Sequence, residues 1–156
     1  KPRSFSTLFK IQFYSNNNGI PGKRLTYDDI IFMITNADKT NFELDILEHK
    51  IYIPKEGIFI SVQVLGYADK EGVLQQTKKY SEIETRRGVV KVSTTFRPLL
   101  PFTNKISSYR TFTRRVFFKN KTWQRFDHEY SKTNNLIQKN FTNYGMGLKL
   151  RIYEED

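Results

Sequence analysis

A chain of 156 residues suits one domain, and a domain of this size buries enough surface to fold without disulfides or bound metal. The sequence has no cysteine, which excludes thiol catalysis, and it has no apolar run near the roughly 18 residues of a membrane-spanning helix. The 26 Lys and Arg against 16 Asp and Glu give a net charge of +10. This charge favours a polyanionic partner or, more simply, aids solubility.

The chain opens on Lys1-Pro2-Arg3, without an initiator Met or a signal peptide. We therefore expect a processed protein or a part of a larger one, with any targeting segment upstream. We predict a single domain over residues 1–156. The first 65 residues are close to neutral, so the excess positive charge lies in the rest of the chain.

The first half of the chain has short apolar runs separated by turn residues. Apolar and polar residues alternate from Phe9 to Phe13, which predicts a strand with one buried and one solvated face. Asn18-Gly19 predicts a tight turn, and Pro21-Gly22 predicts a type II turn. The continuous apolar run Ile30–Ile34 predicts a strand that is buried on both faces.

Further strand patterns follow, with one interruption. Phe42, Leu44 and Ile46 form a second alternating set. Ile58–Val64 is the clearest interior strand of the sequence, because its apolar residues alternate without a break. Residues 66–88 are polar and charged with several glycines, and they predict a loop or an insertion.

The second half resumes the strand pattern. We predict strands at residues 89–96, 109–118, 123–126 and 146–152, with a hairpin turn at Asn120-Lys121. No convincing amphipathic helix longer than ten residues is found. The pattern as a whole predicts an all-β fold, an antiparallel two-sheet sandwich of jelly-roll type with less than about a tenth of its residues in helices.

The residue types give little support for an enzyme. The two histidines, His49 and His128, have no cysteine or strained Gly-x-Ser-x-Gly serine beside them in the sequence. Zinc sites need several His or Cys ligands, which this chain lacks. A calcium site stays an alternative, since oxygen ligands leave little trace, but Asp28-Asp29 reads more simply as the polar start of a strand. We predict no catalytic residues, no metal and no cofactor.

The aromatic and basic residues of the C-terminal half are the candidate ligand-binding set. Most aromatic residues fall at core positions, but Trp123 and Tyr109 lie near predicted loops or edges and could stack on a sugar ring. Arg115, Lys119 and Lys121 could form a small basic patch beside them for a polyanion. No RNA-binding motif accompanies this set, so we do not expect a nucleic acid partner.

Residues 9–66 resemble a known family. The segments that carry the resemblance are Phe13-Tyr14, Gly19-Ile-Pro-Gly22, Asp29-Ile-Ile31, Phe42-Glu-Leu-Asp45, Ile53-Pro54 and Gly57-Ile-Phe-Ile-Ser-Val62. They are similar to the β-sandwich domain of Bacteroidetes envelope proteins that is found with carboxypeptidase-regulatory-like domains. The chain departs from that pattern after Val62, where Gln63-Val64 stands in place of an expected Glu-Trp.

The resemblance implies a jelly-roll-like sandwich, export to the periplasm, outer membrane or cell surface, and partners among other envelope proteins. We therefore predict a noncatalytic structural or binding module of a bacterial cell-envelope protein. The alternative is a domain that binds carbohydrate or another polyanion through its basic, aromatic C-terminal half.

Overall fold

The structure is a computed structural model that describes residues 4–38, 41–78, 80–93, 96–116, 119, 121–129 and 135–150. The chain forms two compact units, Lys1–Leu99 and Leu100–Asp156. The strands of the first unit are β1 (Ser6–Asn17), β2 (Ile20–Arg24), β3 (Ile30–Thr35), β4 (Ile58–Tyr67), β5 (Tyr80–Thr85) and β6 (Gly88–Ser93). The second unit has β7 (Phe102–Thr103), β8 (Phe112–Thr113), β9 (Gln124–Arg125) and β10 (Asn143–Tyr144), with the short helices α1 (Phe126–Glu129) and α2 (Asn135–Gln138).

The twelve-residue strand β1 organises a four-stranded antiparallel sheet. One edge of β1 pairs with β4 along most of its length. The other edge pairs with β3 over its first half and with β2 over its second half. Asn18 and Gly19 both have positive φ angles in the turn from β1 to β2, which confirms the predicted tight turn. The prediction of a turn at Pro21-Gly22 is wrong, because both residues lie inside β2.

The core of the first unit lies on one face of this sheet. Phe9 and Phe13 are fully buried there, beside Ile11 and Ile30. The face is covered by residues 42–51: Phe42 stacks on Phe32 with ring centroids 5.5 Å apart, and Leu44, Ile46 and Ile51 pack against the buried cluster.

Two expectations for this region are corrected. Residues 42–46 present alternate apolar side chains to the core, as a strand would, but they have no β-ladder and no strand is assigned to them. Ile30–Ile34 does form a strand, but Ile31 is more than half exposed, so β3 is buried on one face only. The reason is that Ile31 is the cross-strand partner of Lys10, and both lie on the face of the sheet opposite the buried cluster.

Strands β5 and β6 form a separate two-stranded hairpin around the turn residues Arg86-Arg87. Part of the segment in which a loop or insertion was predicted, residues 66–88, is therefore a β-strand. The polar residues of β5 misled that prediction: Glu82 and Glu84 alternate with Ile83, and all six residues of the strand are exposed.

The second unit contains short antiparallel pairs, β7 with β10 and β8 with β9. Phe102 stacks between Phe126 and Tyr144, with centroid distances of 5.5 and 4.4 Å. Buried Asn143 ties β10 to the chain between β7 and β8, because its side-chain amide donates to the carbonyl oxygens of Ile106 and Ser108 and its amide oxygen accepts from the Arg110 N–H. Side-chain hydrogen bonding thus replaces long ladders in this unit.

The all-β prediction is confirmed, since the described α-helices are four residues each and the sheets are antiparallel. The described part of the second half has shorter strands than predicted: among residues 109–116 only Phe112–Thr113 is β-strand, and residues 145–150 have no regular structure. Phe117, Phe118 and Ile152 lie outside the described residues. The single-domain prediction stays a prediction, because a compact unit is not by itself an independently folding domain.

Candidate functional site

A groove of about 510 Å³ lies in the first unit, between the connection from β2 to β3 and the segment that precedes β4. The residues that line it are Leu25, Thr26, Tyr27, Asp28, His49, Lys50, Ile51, Tyr52 and Pro54. We call it the Tyr27–Tyr52 groove. Its volume lies within the range of small-molecule sites in proteins, about 300–1,000 Å³.

The two tyrosines are the most unusual feature of this groove. Tyr27 is 96% exposed and Tyr52 is 81% exposed, and each comes from a different one of the two lining segments. Large aromatic side chains usually bury most of their surface, because each ring removes a large apolar area from water. Two rings left in solvent beside one groove are therefore candidates for contact with a ligand.

The local structure around each tyrosine is held by hydrogen bonds and packing. The Arg24 guanidinium donates to the Tyr27 carbonyl oxygen and to the Asp29 carboxylate, at 2.7 Å in both cases. On the other wall, a 3-10 helix (Leu47–His49) ends at Lys50, which has a left-handed φ of 45°. Ile51 then packs into the core next to Tyr52. The groove therefore rests on anchored backbone on both sides.

The groove also offers polar groups of both charges. Asp28 is a hydrogen-bond acceptor, Lys50 is a donor, and the His49 imidazole can do either. Thr26 lines the groove as well, but its hydroxyl oxygen is buried and has no hydrogen-bond partner in the described part of the chain. Two aromatic faces with three hydrogen-bonding side chains form an arrangement that can hold a small polar ligand with apolar faces.

A polar network lies next to the groove, on the face of the β1 sheet opposite the core. The Asp29 carboxylate accepts hydrogen bonds from Gln12 at 2.7 Å, from Arg24 at 2.7 Å and from Lys10 at 3.2 Å. The buried Tyr14 hydroxyl donates to the Gln12 side-chain oxygen at 2.9 Å. Partial burial raises the pKa of Asp29, but the hydrogen bonds from Gln12 and Lys10 and the charges of Lys10 and Arg24 outweigh it, so the pKa lies below its ordinary value.

A carboxylate with a lowered pKa and three donors is a poor proton acceptor. Asp29 is also next to Asp28, the acidic pair considered above for calcium. Three donors already satisfy the Asp29 oxygens, which agrees with a structural role at the start of β3. Within the residues that the structure describes, no group of three or more His, Cys, Asp or Glu side chains could hold a metal ion.

The structure places the five predicted ligand-binding residues in the second unit. Tyr109 is about half exposed, and Arg115, Lys119 and Lys121 are exposed. The guanidinium carbon of Arg114 lies 4.5 Å from the centroid of the half-buried Trp123 ring, a cation–π contact. One ring face of Trp123 is thus already covered by Arg114.

The pairing of β8 with β9 connects these residues. Thr113 lies opposite Gln124, so Arg115 and Trp123 stand near the same end of the strand pair, and Lys119 and Lys121 belong to the chain that joins the strands. Among the described residues, no hydrogen bond, ion pair or ring contact joins Tyr109 to these side chains. Tyr27 and Tyr52 are not among the predicted ligand-binding residues, because no local pattern marks two tyrosines 25 residues apart in the sequence as neighbours.

Comparisons with family models, with curated proteins and with solved structures found no match to this chain. The described residues also contain no helix that is long and apolar enough to cross a membrane.

Proposed function

We propose that this chain is a noncatalytic binding module of a bacterial cell-envelope protein, and that the Tyr27–Tyr52 groove binds a glycan. The observation that carries the proposal is the pair of tyrosine rings, 96% and 81% exposed, beside one groove of about 510 Å³. The sequence resemblance of residues 9–66 to envelope sandwich domains supports the cellular setting.

A glycan suits this groove because a sugar ring has an apolar C–H face for the tyrosine rings and hydroxyl groups for the polar side chains. The C–H groups on one face of a pyranose are weakly positive, and they are attracted to the negative face of an aromatic ring. The hydroxyl groups at the rim of the sugar donate and accept hydrogen bonds, which matches Asp28, His49 and Lys50. A purely apolar ligand would displace water from these side chains without replacing its hydrogen bonds, at a cost in free energy.

The test measures binding of oligosaccharides to the full chain by calorimetry or NMR titration. The probes are a neutral hexose hexamer, an N-acetylhexosamine hexamer and a heparin hexasaccharide. We expect Tyr27→Ala and Tyr52→Ala each to weaken binding at least about tenfold, because loss of one stacking contact is worth about 1–3 kcal/mol by analogy with base stacking. Both rings are so exposed that neither substitution should unfold the protein.

Tyr109→Ala is the matched control, since Tyr109 is an exposed tyrosine of the second unit. It should leave the affinity of these probes unchanged. Equal affinities for wild type, Tyr27→Ala and Tyr52→Ala would contradict the proposed groove. Loss of binding in Tyr109→Ala alone would instead favour the C-terminal set.

The second candidate function is polyanion binding by Arg115, Lys119 and Lys121, which the structure shows to be exposed near the β8–β9 pair. If this basic set binds a polyanion, the chain should be retained on heparin at low salt. Binding should then weaken steeply as salt rises, because counterions are released on association. Neutralising all three residues should abolish retention, whereas neutralising Lys23, Lys55 and Lys70 of the first unit, which are exposed and lie outside the groove, should not. A wild-type chain that flows through at low salt would remove this candidate.

The complete architecture is proposed to be a two-sheet, jelly-roll-like sandwich. The support is the four-stranded sheet around β1, whose one apolar face is typical of a sandwich half, together with the additional antiparallel pairs. An experimental structure of this protein would test this. A structure in which no second sheet packs against the apolar face of the β1 sheet would contradict it.

Periplasmic or cell-surface localisation is likewise proposed from the resemblance. Other envelope proteins are the expected partners in that compartment. Fractionation of cells that express this protein tests this directly, with an antibody against residues 4–38 as the probe. Recovery of the protein in the cytoplasmic fraction alone would overturn it.

A further inference from the structure

The β5–β6 hairpin presents an apolar face to solvent. Its register places Ile83 opposite Val90 and Ser81 opposite Val92, so Ile83, Val90 and Val92 share one face of the two-stranded sheet. These three side chains are 49%, 47% and 43% exposed. An isolated two-stranded hairpin is at best marginally stable in water, and a third strand or a packed face is usually needed.

The other face of the hairpin is polar, and its two strands carry different charges. Glu82 and Lys91 are cross-strand partners on the polar face, with 3.8 Å between the Lys91 Nζ and a Glu82 carboxylate oxygen. Strand β5 carries two acidic residues, Glu82 and Glu84, whereas β6 carries the single charge of Lys91. In the described residues, β6 pairs with no strand other than β5, so its outer edge has unpaired backbone groups.

We propose that β6 pairs in antiparallel fashion with β6 of a second copy of this chain, about a two-fold axis at Val90. In this register Val90 faces its own copy, and Val89 faces Lys91 of the partner. No two like charges are opposed. The two hairpins then form one four-stranded sheet, β5-β6-β6-β5, with a continuous apolar face.

Three alternative self-pairings bring like charges together, which destabilises a sheet. Centring β6 on Lys91 places two lysines opposite each other, and centring it on Val89 places Lys91 opposite Arg87. Pairing β5 with itself about Ile83 places Glu82 opposite Glu84. The Val90-centred register avoids all three conflicts.

The acidic residues of β5 oppose the addition of further strands to the four-stranded sheet. Both outer strands of the four-stranded sheet would be β5, and each would present Glu82 and Glu84 at its edge. Charged edge strands oppose the addition of more strands, so the two-fold pairing closes on itself. Pairing of one six-residue strand buries a small interface, so the dimer is expected to be weak and dependent on concentration.

The absence of cysteine from the sequence makes disulfide trapping a direct test. Two Val90→Cys chains would have their Cβ atoms about 4.5–5.5 Å apart across the axis, close to disulfide geometry. Ile83→Cys is the matched control: it lies on the same face, but the two copies would be three strand spacings apart, roughly 14 Å. We expect Val90→Cys to give at least about ten times more disulfide-linked dimer than Ile83→Cys under mild oxidation.

A mixture of Val89→Cys and Lys91→Cys chains tests the register separately. The mixed dimer should form in preference to either homodimer, because these positions face each other across the axis. Equal yields from Val90→Cys and Ile83→Cys, or no mixed dimer, would overturn the proposed pairing.

Sedimentation equilibrium provides a readout without cysteines. Val90→Lys would place two lysines on the axis and should abolish concentration-dependent dimerisation of the full chain. Ser81→Lys adds the same charge to the same face on β5 and should retain it. Loss of dimer in both variants would indicate general apolar association and contradict the edge pairing, as would a wild-type chain that stays monomeric and gives no trapped dimer.

Discussion

The β1 sheet and the β5–β6 hairpin have the same alternating pattern and antiparallel pairing, yet only the first contributes a core. Strand β1 is paired along both edges, and residues 42–51 cover its apolar face, so Phe9 and Phe13 are fully buried. Every residue of β5 is exposed. Alternation therefore specifies a strand with two unlike faces, whereas burial of the apolar face depends on what the rest of the chain places over it.

The largest effect expected from this difference is on stability. Phe13→Ala should lower the free energy of unfolding by about 3–5 kcal/mol, because it removes a fully buried ring and leaves a cavity beside Ile60. Ile83→Ala in the hairpin should change it by less than about 0.5 kcal/mol. Urea unfolding followed by circular dichroism measures both.

Phe13→Leu is the milder variant if Phe13→Ala fails to fold, and it should give an intermediate loss. Similar losses for Phe13→Ala and Ile83→Ala would mean that the hairpin is buried as deeply as the sheet. That result would contradict the difference in burial between the β1 sheet and the β5–β6 hairpin.

A smaller effect is expected from the polar face of the β1 sheet. Asp29 has a folded-state pKa below its ordinary value of 3.8, so its carboxylate stabilises the fold above that pH, and this contribution is lost as the pH falls through the folded pKa. At neutral pH, Asp29→Asn should cost about 1 kcal/mol, because solvent screens a side chain that is about a third exposed.

The difference between wild type and Asp29→Asn should shrink as the pH is lowered below about 4. Unfolding curves over a series of pH values measure it. Asp28→Asn removes the same charge from the adjacent exposed residue and is the matched control. A difference between wild type and Asp29→Asn that is constant from neutral to acid pH would contradict the charged network.

The smallest effect is expected at Thr26 in the groove. Its buried hydroxyl has no hydrogen-bond partner in the described residues, so Thr26→Val should leave stability within about 0.5 kcal/mol or raise it slightly. Thr7→Val is the contrast, because the fully buried Thr7 hydroxyl donates to the Arg97 carbonyl oxygen. It should cost about 1–2 kcal/mol in the same unfolding assay. A loss of that size in Thr26→Val would reveal an additional partner.

The two candidate sites differ in how far they could be predicted from the sequence. Trp123 and the lysines were selected by residue type, and the structure adds that Arg114 covers one face of the Trp123 ring. Tyr27 and Tyr52 are 25 residues apart in the sequence, and nothing local indicates that they share a groove. That proximity follows from the β2–β3 connection and the chain before β4 lying side by side.

The sequence by itself determined β1, β3, β4 and β6 and the turn at Asn18-Gly19, because alternation and positive φ preferences act over a few neighbouring residues. It also determined which side chains of residues 42–46 are apolar and face the core. Only the tertiary structure decided that those residues form no ladder, that β3 is an edge strand, and that the hairpin has an uncovered face. These outcomes depend on which backbone edges and apolar faces meet across large sequence separations. A local sequence pattern does not specify those contacts.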